Sequence, residues 1–298
     1  MNIYNYQGQE YGPIEGGAKS YVVKGIIHRG YNYSTSASGT FVINNTDGAP
    51  ENTLPAYVLA AKKGFKYVET DVSFTSDNVP VLLHDETINR TSNGTGAIAS
   101  LTLAQAQSYK FNRINYSGVS ETISGYDDVT IPTFEDFLEL CRNLSLHPYV
   151  ELKMNAYTEA QVKIIVDMVE ESGMKGNVTY ISFDATYLGY VKNYDANARL
   201  GYLRENVNSG TYPLDATAVA TAQSLKTGSN EVFIDAYAYS DAACQMCLDA
   251  GIPFGTWGTC STANDTEATI IGLNPYITEV TSNKWDAGKV LYENAIGS

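Results

Sequence analysis

YVETDVSFTSDNVPVLLHD (67–85) decides the fold. It holds two β-rich runs, YVETDV (67–72) and VPVLL (79–83), with residues 73–78 alone between them. A parallel crossover takes roughly a dozen residues or more, so a turn at SDN (76–78) must join these two runs directly. Elsewhere the spacing is wider. Further β-rich runs stand at YVVKGII (21–27), PYVEL (148–152), VTYISF (178–183), RLGYL (199–203), EVFIDAY (231–237), GIPFGTW (251–257) and PYITEV (275–280). Helical patterns fall between several of them: LPAYVLAAKKG (54–64), PTFEDFLELCRNL (132–144), TEAQVKIIVDMVEESG (158–173), DATAVATAQSL (215–225) and SDAACQMCLDAG (240–251). Gly64, Gly173 and Gly251 sit where these helices should stop. Alternating strands and helices imply a parallel sheet covered by helices, either a closed barrel or a doubly wound sheet. Nine runs compete for the eight places of a barrel, which leaves the register open by one strand.

The segment 86–130 differs from its surroundings. It is rich in Ser, Thr, Asn and Gly with little sustained periodicity, and reads as a cap inserted on the barrel with one short helix at its centre. Residues 1–20 read as a polar leader, and 21–298 as one domain. The opening MNIYNYQGQEYGPIEGG has neither a basic nor an apolar region, so no signal peptide is expected there. No stretch reaches the ~18 apolar residues of a transmembrane span. Both a cytoplasmic and an extracellular location stay open.

The 298 residues carry a formal net charge of −14, which argues against a nucleic-acid or anionic-membrane binder because each needs a basic face. A phosphate-bearing substrate is not excluded, since a metal ion and a few placed cations can set the local field. Cys244 and Cys247 form a C-x-x-C that invites a redox or zinc reading. They fall in an apolar-periodic stretch with no second pair or nearby histidine, and are expected to be helix core.

Glu69 and Asp71 are two residues apart in one strand and share a face. They are either exposed at a strand end or brought inside, where two carboxylates need a cation; oxygen ligands there would suit Mg²⁺ or Ca²⁺. The same spacing puts Glu151 and Lys153 on one face at the next strand terminus, as a local ion pair or as part of the same site. If Glu151 joins Glu69 and Asp71, the three form a facial carboxylate set. His28 and His84, two of only three histidines, each close a strand. His147 precedes a strand, at the opposite mouth of a barrel, where a stability role is expected.

In order, HRG (28–30), PENT (50–53), ETDV (69–72), VPVLLHD (79–85), R-T-x-x-G (90–94) and PYVELK (148–153) resemble the pattern of the glycerophosphodiester phosphodiesterase family. IPTFEDFLEL (131–140), SFD (182–184) and GYL (201–203) continue it over roughly residues 22–280. The resemblance implies a (β/α)8 TIM-type barrel with a small cap insertion. It also implies a phosphoric diester hydrolase that converts glycerophosphodiesters to glycerol 3-phosphate and an alcohol with one divalent cation, Mg²⁺ or Ca²⁺. Glu69, Asp71 and Glu151 match its metal ligands, and His28 and His84 its general acid and base. Arg29 and Lys153 match cations that hold phosphate oxygens. Glu51 and Asn52 match the motif that supports the metal site, and Trp257 the family's late tryptophan. The family's chemistry would run through a cyclic phosphodiester.

Charge is consistent with these roles. Three carboxylates against a divalent ion, Arg29 and Lys153 leave one positive charge for one diester, which places Glu51 further out. Two histidines with ordinary pKa near ~6.5 suit acid and base work near neutrality. The chain departs from the family in FGTWGTCSTAND (254–265), in PYITEVTSNKW (275–285) and in a long stretch at 31–49 that could wall the pocket. Those departures bear on substrate shape. A glycerol-phosphate polymer such as teichoic acid is the nearest alternative substrate, and a sphingomyelinase D-like phospholipase the next reading.

Overall fold

The computed structural model describes residues 4–6, 9–11, 24–32, 34–37, 40–43, 47–116, 119–153, 157–237, 241–257 and 277–282. The strands of its main sheet are β1 (Lys24–Ile27), β2 (Tyr67–Phe74), β3 (Pro80–Leu82), β4 (His147–Leu152), β5 (Thr179–Ser182), β6 (Arg199–Arg204), β7 (Val232–Ala236), β8 (Phe254–Trp257) and β9 (Ile277–Ser282). Eight of the nine are parallel and run β4-β5-β6-β7-β8-β9-β1-β2, and the pairing of β2 with β4 closes the ring. The fold is a (β/α)8 barrel. β3 is the surplus run. It pairs antiparallel with β2, Phe74 opposite Pro80, after the tight turn at 76–78. Pro80, lacking an N–H, stands at the first position of this edge strand, where a proline is tolerated.

β2 is buried along its whole length because both its faces are covered. Tyr67 packs inside the barrel with Ile26, Tyr149, Ile181, Leu203 and Phe233. Val68 and Val72, of the other parity, belong to the layer between barrel and helices. The outer ring holds α1 (Leu54–Lys62), α3 (Phe134–Leu144), α4 (Glu159–Glu171), α5 (Ala185–Tyr194), α6 (Ala216–Ser224) and α7 (Asp241–Asp249), while α2 (Leu103–Ala106) lies in the cap. Helix α5 is the one that periodicity did not pick out. Its ten residues include three tyrosines and Gly189, which dilute the helical signal, yet Asp184 caps it by accepting from Thr186 N at 2.8 Å. Cys244 and Cys247 are fully buried in α7 and outside any disulfide, as the helix reading expected.

Between β3 and α3 the chain builds a short 3₁₀ turn, α2 and an antiparallel ribbon, Arg113–Tyr116 against Val119–Thr122. This segment has its own small core of Val81, Leu83, Ile88, Ile98, Ala106, Phe111 and Ile131. Two further ribbons pair Tyr4–Tyr6 with Gln9–Tyr11 and Ser34–Ala37 with Thr40–Ile43. The rest of the leader, residues 258–276 and the stretch after Ser282 lie outside the described residues. No helix among the described residues is long and apolar enough to cross a membrane.

Candidate active site

The residues singled out by motif converge at the C-terminal mouth of the barrel, on β1, β2 and β4 and the segments that follow them. The β2–β4 register places Asp71 opposite Glu151. That pairing, with the two-residue spacing of Glu69 and Asp71, brings three carboxylates from two adjacent strands together. One oxygen of each lies within 4.8 Å of the others. All three side chains are buried, and Glu69 Oε1, Asp71 Oδ1 and Glu151 Oε1 have no hydrogen-bond partner. Three converging buried carboxylates are a donor set suited to a hard divalent cation.

The loop after β1 is folded tightly against this cluster. Arg29 adopts φ 56° and Gly30 φ 75°, so the chain turns sharply after His28. A side chain at position 30 would put its Cβ 2.8 Å from the Ala56 Cβ of α1, so only glycine fits. The turn aims Arg29 N at Glu69 Oε2, 2.9 Å away, and brings Arg29 Nε within 3.2 Å of Asp71 Oδ2. His28 Nε2 stands 3.7 Å from Glu69 Oε2. Asn52, also in the left-handed region at φ 52°, is a bracket for Asp71. Its Nδ2 donates to Asp71 Oδ2 at 2.8 Å, while its Oδ1 accepts from Tyr57 Oη at 2.9 Å and Thr70 Oγ1 at 3.1 Å. Lys153 Nζ lies 3.2 Å from Glu151 Oε1 and 3.5 Å from Asp71 Oδ1.

Crowding three acids divides their proton affinities. Burial, then Asp71 and Glu151 as neighbouring acids, raise the Glu69 pKa well above its usual range. Burial also raises Glu151, to about 7, against the pull of Lys153. For Asp71, burial acts upward but is overcome by His84, Lys153, Arg29 and His28, which hold it well below the usual carboxylate range. Asp71 therefore keeps its charge, and a cation would compete with protons at Glu69 and Glu151.

Glu51 stands apart from the three acids. Arg90 grips both its oxygens at 2.7 Å, Arg29 NH1 adds a contact at 3.1 Å, and its pKa falls to about 2 as the two arginines outweigh burial. Arg90 also donates to Asp85, and Asp85 Oδ1 lies 2.6 Å from His84 Nδ1. Burial, followed by the charge of Arg29, lowers the His84 pKa. Sequence reasoning left Asp85 and Arg90 without a role, although HD (84–85) and R-T-x-x-G (90–94) were the signals that contained them. Tyr57 had no comparable signal.

Trp257 ends β8 and forms a wall at the mouth. Its indole N–H lies 3.2 Å from both Arg204 O and Asp235 O, and its ring meets Phe183 and Tyr237 edge-on at 5.6 and 4.7 Å. His147 is far from the cluster, at the start of β4, held by Asn177 at 3.1 Å and Thr179 at 2.9 Å. Burial lowers its pKa to about 3, in keeping with the expected structural place. Two further acids escaped notice inside the barrel. Glu279 is fully buried and neutralised by Lys24 and Arg199, with Tyr149 donating to it. Asp235 is buried with Oδ1 unpartnered, and burial raises its pKa well above the usual range.

A barrel whose mouth gathers a carboxylate cluster, two histidines and two cations defines a class, the α/β barrels equipped for chemistry on a charged ester. The chain belongs to the glycerophosphoryl diester phosphodiesterase family, whose model matches residues 28–281. Human glycerophosphodiester phosphodiesterase 1 is 38% identical over 121 residues, 40% of this chain and 35% of that protein. The match thus spans about a third of that relative's length. Among solved structures, an Oleispira antarctica phosphodiesterase in complex with the product sn-glycerol-3-phosphate superposes with a TM-score of 0.65 at 23% identity, covering 93% of this chain and 98% of that one. A glycerophosphodiester phosphodiesterase of Agrobacterium tumefaciens gives 0.61 at 21% identity, covering 88% and 96%. These two likenesses establish the fold.

Proposed function

We propose that this protein hydrolyses glycerophosphodiesters to glycerol 3-phosphate and an alcohol, with one divalent cation held by Glu69, Asp71 and Glu151. The observation that carries the reading is the convergence of three buried carboxylates beside two histidines and two cations. Family membership and the product bound to the Oleispira antarctica relative support it. A bound Mg²⁺ or Ca²⁺ would supply Lewis-acid stabilisation of the phosphoryl oxygens. Arg29 and Lys153 neutralise the remaining charge on the diester and the charge that grows in the transition state. Glu51 and Asn52 hold Arg29 and Asp71 in place.

His28 and His84 exchange the protons. One takes the proton of the hydroxyl next to the ester, that oxygen attacks phosphorus, and a cyclic phosphodiester forms. The other histidine protonates the departing alcohol oxygen as its bond to phosphorus breaks. Water then opens the ring with the two roles reversed, which restores both histidines and leaves the phosphomonoester.

Phosphorus NMR of glycerophosphocholine, run beside its analogue lacking the neighbouring hydroxyl, tests this course. The natural diester should pass to glycerol 3-phosphate while the deoxy analogue persists. Equal cleavage of the two would rule out the cyclic route. Cleavage of polyglycerol phosphate with glycerophosphocholine untouched would overturn the small-molecule assignment.

A further inference from the structure

His84 and Arg29 lie at two ends of one chain of ion pairs, and Arg90 is its centre. Arg90 Nε and NH2 reach Asp85 Oδ2 and Oδ1 at 2.7 and 3.0 Å, while NH1 and NH2 reach Glu51 Oε2 and Oε1 at 2.7 Å each. All three guanidinium nitrogens are engaged by two opposed carboxylates, so Arg90 cannot turn toward a substrate phosphate without breaking a fork. Its backbone belongs to the cap. Arg90 O accepts from Asn115 N at 2.8 Å, and Thr91 O accepts from Arg113 N at 3.1 Å, which ties this turn to the cap ribbon.

We propose that Arg90 is a positioning residue that fastens the cap to the barrel mouth and, through Asp85, holds His84 in a single ring orientation with the proton on Nδ1. The proposal rests on the reading that His84 exchanges a proton with substrate. An ionised carboxylate only accepts hydrogen bonds, so the 2.6 Å contact between His84 Nδ1 and Asp85 Oδ1 requires Nδ1 to be the donor. Nε2 of the neutral ring is then left with its lone pair. Asp85 can impose this only if its own carboxylate is fixed, since it is the next residue in the chain and rotates freely about its own side-chain bonds. The two contacts from Arg90 remove that rotation. An ammonium could replace the charge of Arg90 but not two forks in one plane. The cap thereby becomes a part of the catalytic geometry: whatever lifts Arg90 off Asp85 also releases His84.

The test reads the histidine ring directly. The 298-residue chain has three histidines, so its ¹⁵N-edited spectra resolve His84 once a His84→Gln variant has assigned it. The wild type should show a protonated Nδ1 and a bare Nε2 at neutral pH. Arg90→Met should show averaging between the two tautomers and a kcat lower by on the order of 10²-fold on glycerophosphocholine. Arg90→Lys should remain within about threefold of Arg90→Met, because charge without the fork does not fix Asp85. Arg90→Met leaves Glu51 short of a partner. Asp85→Ala, which strands no acid, gives the same tautomer readout if that variant does not fold. A folded Arg90 variant that keeps the single Nδ1–H tautomer overturns the proposal, as does unchanged kcat with the tautomer displaced. If the wild type cleaves no diester, the reaction assignment falls, while the ring signals still decide whether Arg90 positions His84.

Discussion

Divalent-cation binding should tighten steeply with pH, because the cluster that receives the ion holds protons in its absence. The folded pKa of Glu151 is raised from 4.5 to about 7 and that of Glu69 is raised well above its usual range, each through burial first. For a raised carboxylate, the protonated form is favoured by folding. Its contribution to stability is full below the unfolded pKa and is lost as pH climbs through the folded one. For Glu151 alone, the shift from 4.5 to about 7 amounts to roughly 3 kcal/mol. A cation that needs this carboxylate ionised must expel its proton, which by itself should weaken affinity about tenfold per pH unit below 7, and a proton on Glu69 makes the fall steeper. Asp71 is shifted the other way and stays ionised across this range, so it adds nothing to the slope. His147, lowered to about 3, affects metal-free and metal-loaded protein alike and cancels in their difference. Calorimetric titration with Mg²⁺ and with Ca²⁺ at pH 5, 6, 7 and 8, in two buffers of different ionisation heat, measures both affinity and released protons. Thermal unfolding with and without metal should show the gap in Tm widening over the same range. Affinity independent of pH, with no proton released, would refute the reasoning.

Two substitutions probe the scaffold. Asp235→Asn should stabilise the protein at pH 7.5, by about 1–3 kcal/mol, because it replaces a buried, unpartnered carboxyl with a neutral isostere. The wild-type penalty is absent below the unfolded pKa and grows as pH rises, so Tm of the two proteins should agree at pH 4 and diverge by pH 7.5; a lower Tm for the variant at pH 7.5 contradicts this. Gly30→Ala should cost about 1–2 kcal/mol in backbone strain, plus the clash with Ala56, and should raise KM by moving Arg29 off Glu69. Unfolding and steady-state kinetics at saturating metal check both, and an unchanged Tm and KM would show that the turn adapts.

How much of this was legible without coordinates varied with the range of the interaction. The spacing of Glu69 and Asp71 needs only the period of a strand, and it held. The short step from 72 to 79 already marked one run as a hairpin partner, and β3 is that run. Joining Glu151 to the pair required the register of β2 on β4, across some 80 residues, which pattern alone cannot supply. The fork of Arg90 on Glu51 spans 39 positions and was likewise invisible. α5 was missed for a local reason, since its tyrosines and Gly189 carry weak helical preference and tertiary packing decides the outcome. Asp235 and Glu279 sit in runs that otherwise read as apolar strands, and their isolation inside the barrel depends on which parity faces inward.

The most direct test of a metal-dependent diesterase at this site is turnover of glycerophosphocholine by three samples of the protein. They are untreated, stripped with EDTA, and stripped then restored with Mg²⁺ or Ca²⁺, each run beside Glu69→Gln and His84→Ala. The result expected is glycerol 3-phosphate from the untreated and restored wild type, none after stripping, and a loss of 10²-fold or more, in order of magnitude, in either variant. Full activity in EDTA, or no product from folded protein with the cation bound, would contradict it.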